Sequence, residues 1–348
     1  MKAVVVEESD KIIFKDVPDV TVASDEVKIN VKYTGICGSD VPRALNNGAH
    51  NYPIILGHEF SGEVVEVGEN VKNVSIGNHV VGIPLIPCMI CDDCQKGNYS
   101  LCKNYSFVGS RISGSMAEYI SLKESNVLVI DKNISFLEAA FFEPATIAYH
   151  AIKLMNLNKN GNACIVGNGT IGVFVLEWLK ILGIKDITVI GRNMQNLERF
   201  LNYGATHIVS ILSDNFNEEI NKITNNRLFD NVFECAGTST TTKLCFELAA
   251  KKGRISYIGT PKSEIIFSVK EWENINRKEL VISGSWMSYS SDFPGEEWFR
   301  TNEEFKKGNL KVYDDMIHGI YKMKDCSVAF NEFKKHVNGK VVIRNEFN

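Results

Sequence analysis

The pattern of apolar and polar positions changes character about two-fifths of the way along the chain. Up to about residue 130, short Val-rich runs dominate: KAVVV, EVKINVKY, GEVVEVG and NHVVGI, several alternating apolar with polar and bounded by Gly, Asn, Asp or Pro. Alternation with period two puts one face of a strand on a core and the other toward water. MAEYISL and NVLVI continue the series after a cysteine-rich interruption. Helical periodicity is scarce here, so a small β-barrel-like domain with long loops is expected. Ser135 then opens SFLEAAFFEPATIAYHAIKLM, with Glu138 three residues on as a capping box. Pro144 predicts a helix break just after Glu143, followed by a new helix.

A second texture follows. ACIVGNGTIG reads as a buried strand running into glycines, and VFVLEWLKILG is apolar on a helical repeat closed by Gly183. DITVIGR, THIVSI, NVFECAG and GRISYIGT read as strands, QNLERFLNYGA and TTTKLCFELAAK as helices. Strand and helix alternating in this way predict an α/β domain built on a doubly wound parallel sheet with right-handed crossovers. After about residue 290 the rhythm lapses into Lys-rich helical stretches around Trp298. It ends in GKVVIR, a strand able to return to the first domain.

Composition changes this picture only in places. A chain of 348 residues is longer than one hydrophobic core usually supports. Domains are therefore expected over 1–150 and 151–287, with a C-terminal return over 288–348. The net charge of −4 supplies no global attraction for nucleic acid or an anionic membrane, and no stretch is long and apolar enough to span a bilayer. MKAVVVEESDK meets charge after a short apolar run, unlike a signal peptide, which points to a cytoplasmic protein. Nine cysteines in that compartment argue against a disulfide framework. Cys164, Cys235, Cys245 and Cys326 lie in apolar runs and read as small core residues.

Three stretches carry chemistry. Gly167-Asn168-Gly169-Thr170-Ile171-Gly172 follows a strand and opens a helix inside a βαβ pattern, the context in which a GxGxxG string holds a dinucleotide. The first glycine permits the turn, the second lets backbone approach a pyrophosphate, and the third packs helix on strand. Some 20 residues on, where NAD-binding chains usually place an acidic residue for the ribose hydroxyls, stand Gly191 and Arg192. No carboxylate there repels a 2′-phosphate and a guanidinium can bind one, so NADP is favoured over NAD. The competing reading leaves Arg192 in solvent and puts Asn193 on the ribose.

The second stretch is Cys88-x2-Cys91-x2-Cys94-x7-Cys102. Four thiolates in one short loop can close a tetrahedral structural zinc site and order a lobe over about 88–102. An iron–sulfur cluster and disulfides are the alternatives. The third runs from Gly35 to Gly62 and holds Cys37, His58 and Glu59, a thiol, an imidazole and a carboxylate of the types that bind zinc, with the Ser39 hydroxyl beside Cys37. A buried core Cys and a satisfied core His are the competing reading. Glu143, ahead of Pro144, could supply a carboxylate, although nothing local singles it out among the 42 acidic residues. Three protein ligands would leave a fourth position for substrate.

GHEFSGEVVEVG, the four-cysteine lobe, FFEP and GNGTIG occur in the order found in the zinc-dependent medium-chain alcohol dehydrogenases, and the chain resembles that family over essentially its full length. CGSDVPRALNNGAHNYPIILGHEFSG, CDDCQKGNYSLCKNYSFVGSR and RKELVISGSWMSYSSDFPGEEW are similar to its polyol-phosphate branch. The resemblance implies a GroES-like β-barrel catalytic domain plus a Rossmann domain. It implies a catalytic zinc on Cys37, His58 and Glu143 and a structural zinc on Cys88, Cys91, Cys94 and Cys102. Glu59 matches the carboxylate beside the catalytic metal, and Ser39 the hydroxyl that passes the substrate proton outwards.

NAD(P)-dependent oxidation of a secondary alcohol in a polyol or polyol phosphate, by a homodimer or homotetramer, is what the resemblance further implies. Arg43 and Arg111 are candidate phosphate anchors; Trp286 is a candidate substrate residue of the cleft, and His50 a candidate catalytic residue able to reach it. Where relatives of this branch commonly carry Asp, this chain has Gly191. Alternative substrates are unphosphorylated: sorbitol, butanediol or threonine. An alternative of another class is a catalytically silent nucleotide-binding scaffold, against which the retained Cys37, His58, Glu143 and Ser39 stand. His79, His150, His207, His318 and His336 carry no motif and read as structural.

Overall fold

The computed structural model describes residues 1–335 and 337–346, so His336 lies outside the described residues. The chain divides into two compact units, Met1–Glu143 joined by the segment from Tyr289 onward, and Pro144–Ser288.

In the first unit the alternating runs are strands. Among the described residues the main sheet runs in the order Val127–Val129, His79–Gly82, Glu59–Val67, Glu26–Gly35, Lys340–Arg344, Ile317–Lys322, with Tyr119–Lys123 also on Glu26–Gly35. Val27, Ile29 and Val31, spaced two apart, enter one core with Phe60, Val64, Val80 and Ile120, as the period of a pleated strand requires. Each such side chain contributes roughly 1.5–3 kcal/mol on burial. A second core joins Val4 and Val6 of the strand Lys2–Glu8 to Ile54, Ala329, Phe330 and Ile343. The GKVVIR run does return: Val342 pairs with Gly35 and Arg344 with Tyr33, antiparallel.

The capping box at Ser135 is formed, Ser135 Oγ accepting from the Glu138 N–H at 3.2 Å and the Ser135 N–H donating to Glu138 Oε2 at 3.0 Å. The break expected after Glu143 falls earlier. One helix covers Phe136–Ala139 and the next Phe142–Met155, so Pro144 stands in a first turn. There its missing N–H has no intrahelical bond to lose, and its fixed φ suits the helix.

In the second unit six parallel strands, all within the described residues, lie in the order His207–Ser210, Ile187–Gly191, Ala163–Val166, Phe229–Glu234, Ala249–Tyr257, Val281–Gly284. Ala163–Val166 and Ile187–Gly191 are buried at every position, as central strands covered on both faces must be. The strand order reverses about Ala163–Val166. The carboxyl end of that strand, where GNGTIG begins, is therefore the topological switch point at which open α/β sheets hold ligands. Among the described residues no helix is long and apolar enough to cross a membrane.

Candidate active site

Three strand ends of the first unit converge. Gly35 pairs with Glu59 and with Val342, both antiparallel. The residues after Gly35 and those before Glu59 thus leave the sheet at the end where the strand Lys340–Arg344 begins. That register gathers Cys37, His58 and Glu59, whose donor atoms lie within 4.8 Å of one another. Lys340 joins them from the far end of the chain, its Nζ ion-paired with Glu59 Oε2 and both side chains almost fully buried. Gly35 makes room for the pair: a Cβ there would run into Glu59 Oε2 and lie 3.1 Å from Lys340 Cδ. Gly57, at φ +98°, turns the chain into His58.

His58 is buried and packs edge-on against Phe107, with ring centroids 5.5 Å apart. Its Nδ1 lies 3.4 Å from Oδ1 of Asp40. Asp40, wholly buried at the start of the helix Asp40–Leu45, also accepts from the Cys37 N–H at 3.0 Å and from Arg43 Nη1 at 3.3 Å. Burial disfavours the Asp40 charge, yet His58, Arg43 and the Cys37 N–H outweigh it and hold the carboxyl below its usual range. Burial likewise opposes a charged His58, but the Asp40 carboxylate and the Cys37 thiol keep the imidazole well above its ordinary range. Glu143 answers to the same cluster. Burial, and then the Glu59 carboxylate, push it up to about 7, with His58 and Lys340 acting the other way. A thiol, two carboxyls and an imidazole crowded around one ammonium make a donor set and a charge balance suited to a divalent cation of mixed N, S and O preference.

Ser39, the N-cap of the Asp40–Leu45 helix, is exposed, and its Oγ accepts from Arg43 Nη1 at 3.1 Å. Arg43 thus divides its guanidinium between Ser39 and Asp40. Arg111 is exposed, lies over the Tyr105 ring at 4.5 Å, and donates its backbone N–H to the carbonyl of Phe107, the residue packed on His58. His50 is exposed, and among the described residues no hydrogen bond or ion pair joins it to the cluster. Trp286 belongs to the second unit and is also exposed.

The cysteine lobe has the dimensions of a tetrahedral centre. The four sulfurs lie within 4.8 Å of one another, with Cys88–Cys94 at 4.0 Å and Cys91–Cys102 at 3.9 Å. Bonds of about 2.3 Å to a central zinc imply sulfur–sulfur edges of about 3.8 Å. All nine cysteines are free thiols, so the disulfide alternative falls away. Backbone N–H groups of Cys94 and Lys103 draw the Cys91 thiol down to about 6, which favours the thiolate a metal needs.

In the second unit the glycine string divides its duties. Gly167 has φ +122°, and a Cβ on Gly172 would run into the Gly167 carbonyl. A Cβ on Gly169 would meet nothing within 4 Å. Gly169 is also the N-cap of the helix Thr170–Ile181 and offers no side-chain cap. The first N–H groups of that helix therefore present to the open side, a ready cradle for a pyrophosphate. At the ribose end, Arg192 is exposed just beyond Gly191. Asn193, the competing ribose ligand, caps the helix Met194–Asn202 by accepting from the Gln195 N–H at 2.9 Å. Opposite, buried Glu234 accepts from the Ala236 and Gly237 N–H groups and from Thr241 Oγ1, fixing the turn that backs Gly167.

Residues 23–132 match the family described as Alcohol dehydrogenase GroES-like domain, and residues 170–300 match Zinc-binding dehydrogenase. Galactitol 1-phosphate 5-dehydrogenase of Escherichia coli K12 is 36% identical over 294 residues, covering 84% of this chain and 85% of that protein. The chain belongs to the zinc-dependent medium-chain alcohol dehydrogenases. Sorbitol dehydrogenase of Bacillus subtilis is 32% identical over 271 residues, 76% of this chain and 77% of that one. The crystal structure of galactitol-1-phosphate dehydrogenase from Escherichia coli superposes with a TM-score of 0.92 at 33% identity, covering 99% of this chain and 100% of that chain. A GroES-like domain plus a Rossmann domain is thus the architecture, and the protein is a zinc-type, NAD(P)-dependent alcohol or polyol dehydrogenase. At the centre of this medium-chain dehydrogenase stand two groups that carry no sequence motif. Asp40 escapes notice as one of many acidic residues, and Lys340 lies 281 positions from its partner. Only the spacing of Asp40 three residues after Cys37 offered a signal.

Proposed function

We propose that this dehydrogenase oxidises a secondary hydroxyl of a sugar-alcohol phosphate, galactitol 1-phosphate to tagatose 6-phosphate, with a nicotinamide dinucleotide as hydride acceptor. The observation that carries the reading is the likeness to galactitol 1-phosphate 5-dehydrogenase, at 36% identity over 84% of the chain. Cys37 and His58 would hold the catalytic zinc with Glu143 as third ligand, and the four cysteines a structural zinc. Lys340 engages Glu59, leaving it as a neighbour or an exchanging ligand. The upward displacement of Glu143 is one that an adjacent dication would reverse. Zinc held there would supply Lewis-acid charge favouring loss of the substrate hydroxyl proton, and a nicotinamide dinucleotide held at the glycine string would supply the hydride acceptor.

The chain's own residues do the remainder. Asp40, beside Nδ1, sets the orientation of the His58 ring, the part carboxylates commonly play for metal-binding histidines. Ser39 Oγ, steadied by Arg43, accepts the substrate proton and hands it to water on its exposed side. Arg111 is the more available guanidinium for phosphate, since Arg43 is shared between Ser39 and Asp40. Comparing kcat/KM for galactitol 1-phosphate and galactitol tests the reading. A loss of roughly 100-fold or more on removing the phosphate is expected; a ratio near one overturns it. The engagement of Arg43, and the 32% identity to sorbitol dehydrogenase, favour an unphosphorylated polyol as the second reading.

Gly191 and Arg192 favour NADP as the dinucleotide, because no carboxylate closes the strand end against a 2′-phosphate. A larger kcat/KM with NAD overturns that preference. Self-association belongs to the same proposal. The strand Val281–Gly284 stands at the sheet edge with Val281 and Ile282 exposed, the kind of edge a second copy covers. Light scattering that reports a single-chain mass would refute it.

A further inference from the structure

The helix Met194–Asn202 buries three residues: Leu197 and Phe200, as an amphipathic helix should, and Arg199. A buried arginine is uncommon because its charge loses hydration, so what it touches matters. Arg199 Nη2 donates to the backbone carbonyl of Asn168 at 2.9 Å. Its guanidinium carbon lies 5.4 Å from the Phe200 ring centroid. Asn168 is the second residue of the glycine string and is gripped from another side as well. A Cβ on Gly191 would come within 3.1 Å of Asn168 Cγ, so the Asn168 amide packs against the bare face of that glycine.

The planarity of the peptide unit turns this contact into a statement about the dinucleotide loop. In a trans peptide the carbonyl of Asn168 and the N–H of Gly169 point in opposite directions. Holding the carbonyl on Arg199 therefore directs the Gly169 N–H away from the guanidinium. Gly169 opens the helix Thr170–Ile181 and borders the space in which a Cβ would meet nothing. A glycine on either side of Asn168 gives this peptide unusual freedom to turn over. A side chain anchored on the neighbouring helix removes that freedom before any ligand arrives.

We propose that Arg199 is a positioning residue for the dinucleotide: it presets the Asn168–Gly169 peptide and so governs affinity for NAD and NADP alike. The proposal rests on the glycine string being the dinucleotide site. It assigns Arg199 a task different from that of Arg192, which lies beyond the ribose end of the strand and would act on the 2′-phosphate alone. Arg199 answers to the part of the cofactor that both dinucleotides share.

The experiment is titration of the zinc-loaded enzyme with NADH and with NADPH, followed by nicotinamide fluorescence, in wild type, Arg199→Met, Arg199→Lys and Arg192→Ala. Thermal stability and saturating kcat are measured in parallel. Arg199→Met is expected to raise both dissociation constants by roughly ten-fold, as loss of one charge-assisted hydrogen bond would. The ratio between the two cofactors should stay within two-fold of wild type and kcat should be preserved. Arg199→Lys is expected to recover part of the loss. It decides the matter if the methionine variant does not fold, by weakening both cofactors to a smaller and equal degree. A folded Arg199 variant that binds both as wild type does, or that loses only NADPH, overturns the proposal. Failure of the underlying reading looks different: wild type itself would bind neither dinucleotide. An Arg192→Ala variant with an unchanged ratio would sink the NADP preference and leave Arg199 untouched.

Discussion

Replacing Lys340 by methionine isolates the charge at the centre of the candidate site, since methionine keeps most of the aliphatic stem and removes the ammonium. Lys340 and Glu59 are ion-paired with side chains 6% and 2% exposed, so water cannot take over when one partner goes. Stranding one charge of such a pair costs about 3–5 kcal/mol. The sign with pH follows from the direction of the shift. Burial opposes the Lys340 charge, but Glu59 and Cys37 raise its pKa above the ordinary lysine value. Its contribution is thus complete at neutral pH and is lost only as pH climbs through that raised value. The loss on substitution should be largest in chelated protein, because a bound dication offers Glu59 another positive neighbour. Urea unfolding of wild type, Lys340→Met, Glu59→Gln and the double variant, each with zinc and after chelation, gives the coupling. The double variant should regain about 2 kcal/mol or more over Lys340→Met, since no carboxylate is left stranded. A Lys340→Met variant within about 1 kcal/mol of wild type when chelated, or a double variant no better than the single, would refute this reasoning.

Gly35→Ala should cost about 1–3 kcal/mol, by pressing a methyl group into the Glu59–Lys340 pair, and should lower the zinc content; unchanged melting and metal content would count against the packing described. Zinc uptake by the catalytic site should release more protons at pH 6 than at pH 8. Glu143, pushed up to about 7, is mostly protonated at the lower pH and must ionise to bind. Calorimetry in buffers of different ionisation enthalpy measures the difference, and Glu143→Gln should reduce it by up to about one proton; an undiminished difference would move the third ligand elsewhere. Cys94→Ser should cost one zinc per chain and markedly lower thermal stability while the Cys37 site keeps its metal; full stability would show that the lobe does not need a fourth sulfur.

The features legible in the sequence are the ones written in local spacing. The glycine string, the four-cysteine loop and the Ser135 capping box each complete their geometry within a few residues, and all three form as their patterns imply. Cys37 and His58 were legible as metal-binding types, but their meeting depends on the pairing of Gly35 with Glu59, a register no local pattern states. Lys340 was illegible for the same reason at greater range. Its strand reads as a generic VVIR run, and its partner is on a different strand 281 residues away. Pro144 misled because proline both ends helices and begins them, and which applies depends on where the preceding turn stops. The helix Val269–Arg277 has no buried residue, and the short apolar run of Val281–Gly284 is exposed on an edge strand, so neither shows the core-facing signature that marked its neighbours. Arg199 reads as a solvent residue of a polar helix until the carbonyl of Asn168 is found beneath it.

The most direct test of the site at the convergence of the three strands is metal content and turnover of Cys37→Ala beside wild type. Two zinc ions per chain should fall to one, turnover with the best polyol phosphate should be abolished, and NADH and NADPH should bind as before. Turnover near the wild-type rate, or two zinc ions retained, would contradict a catalytic metal held by Cys37 and His58.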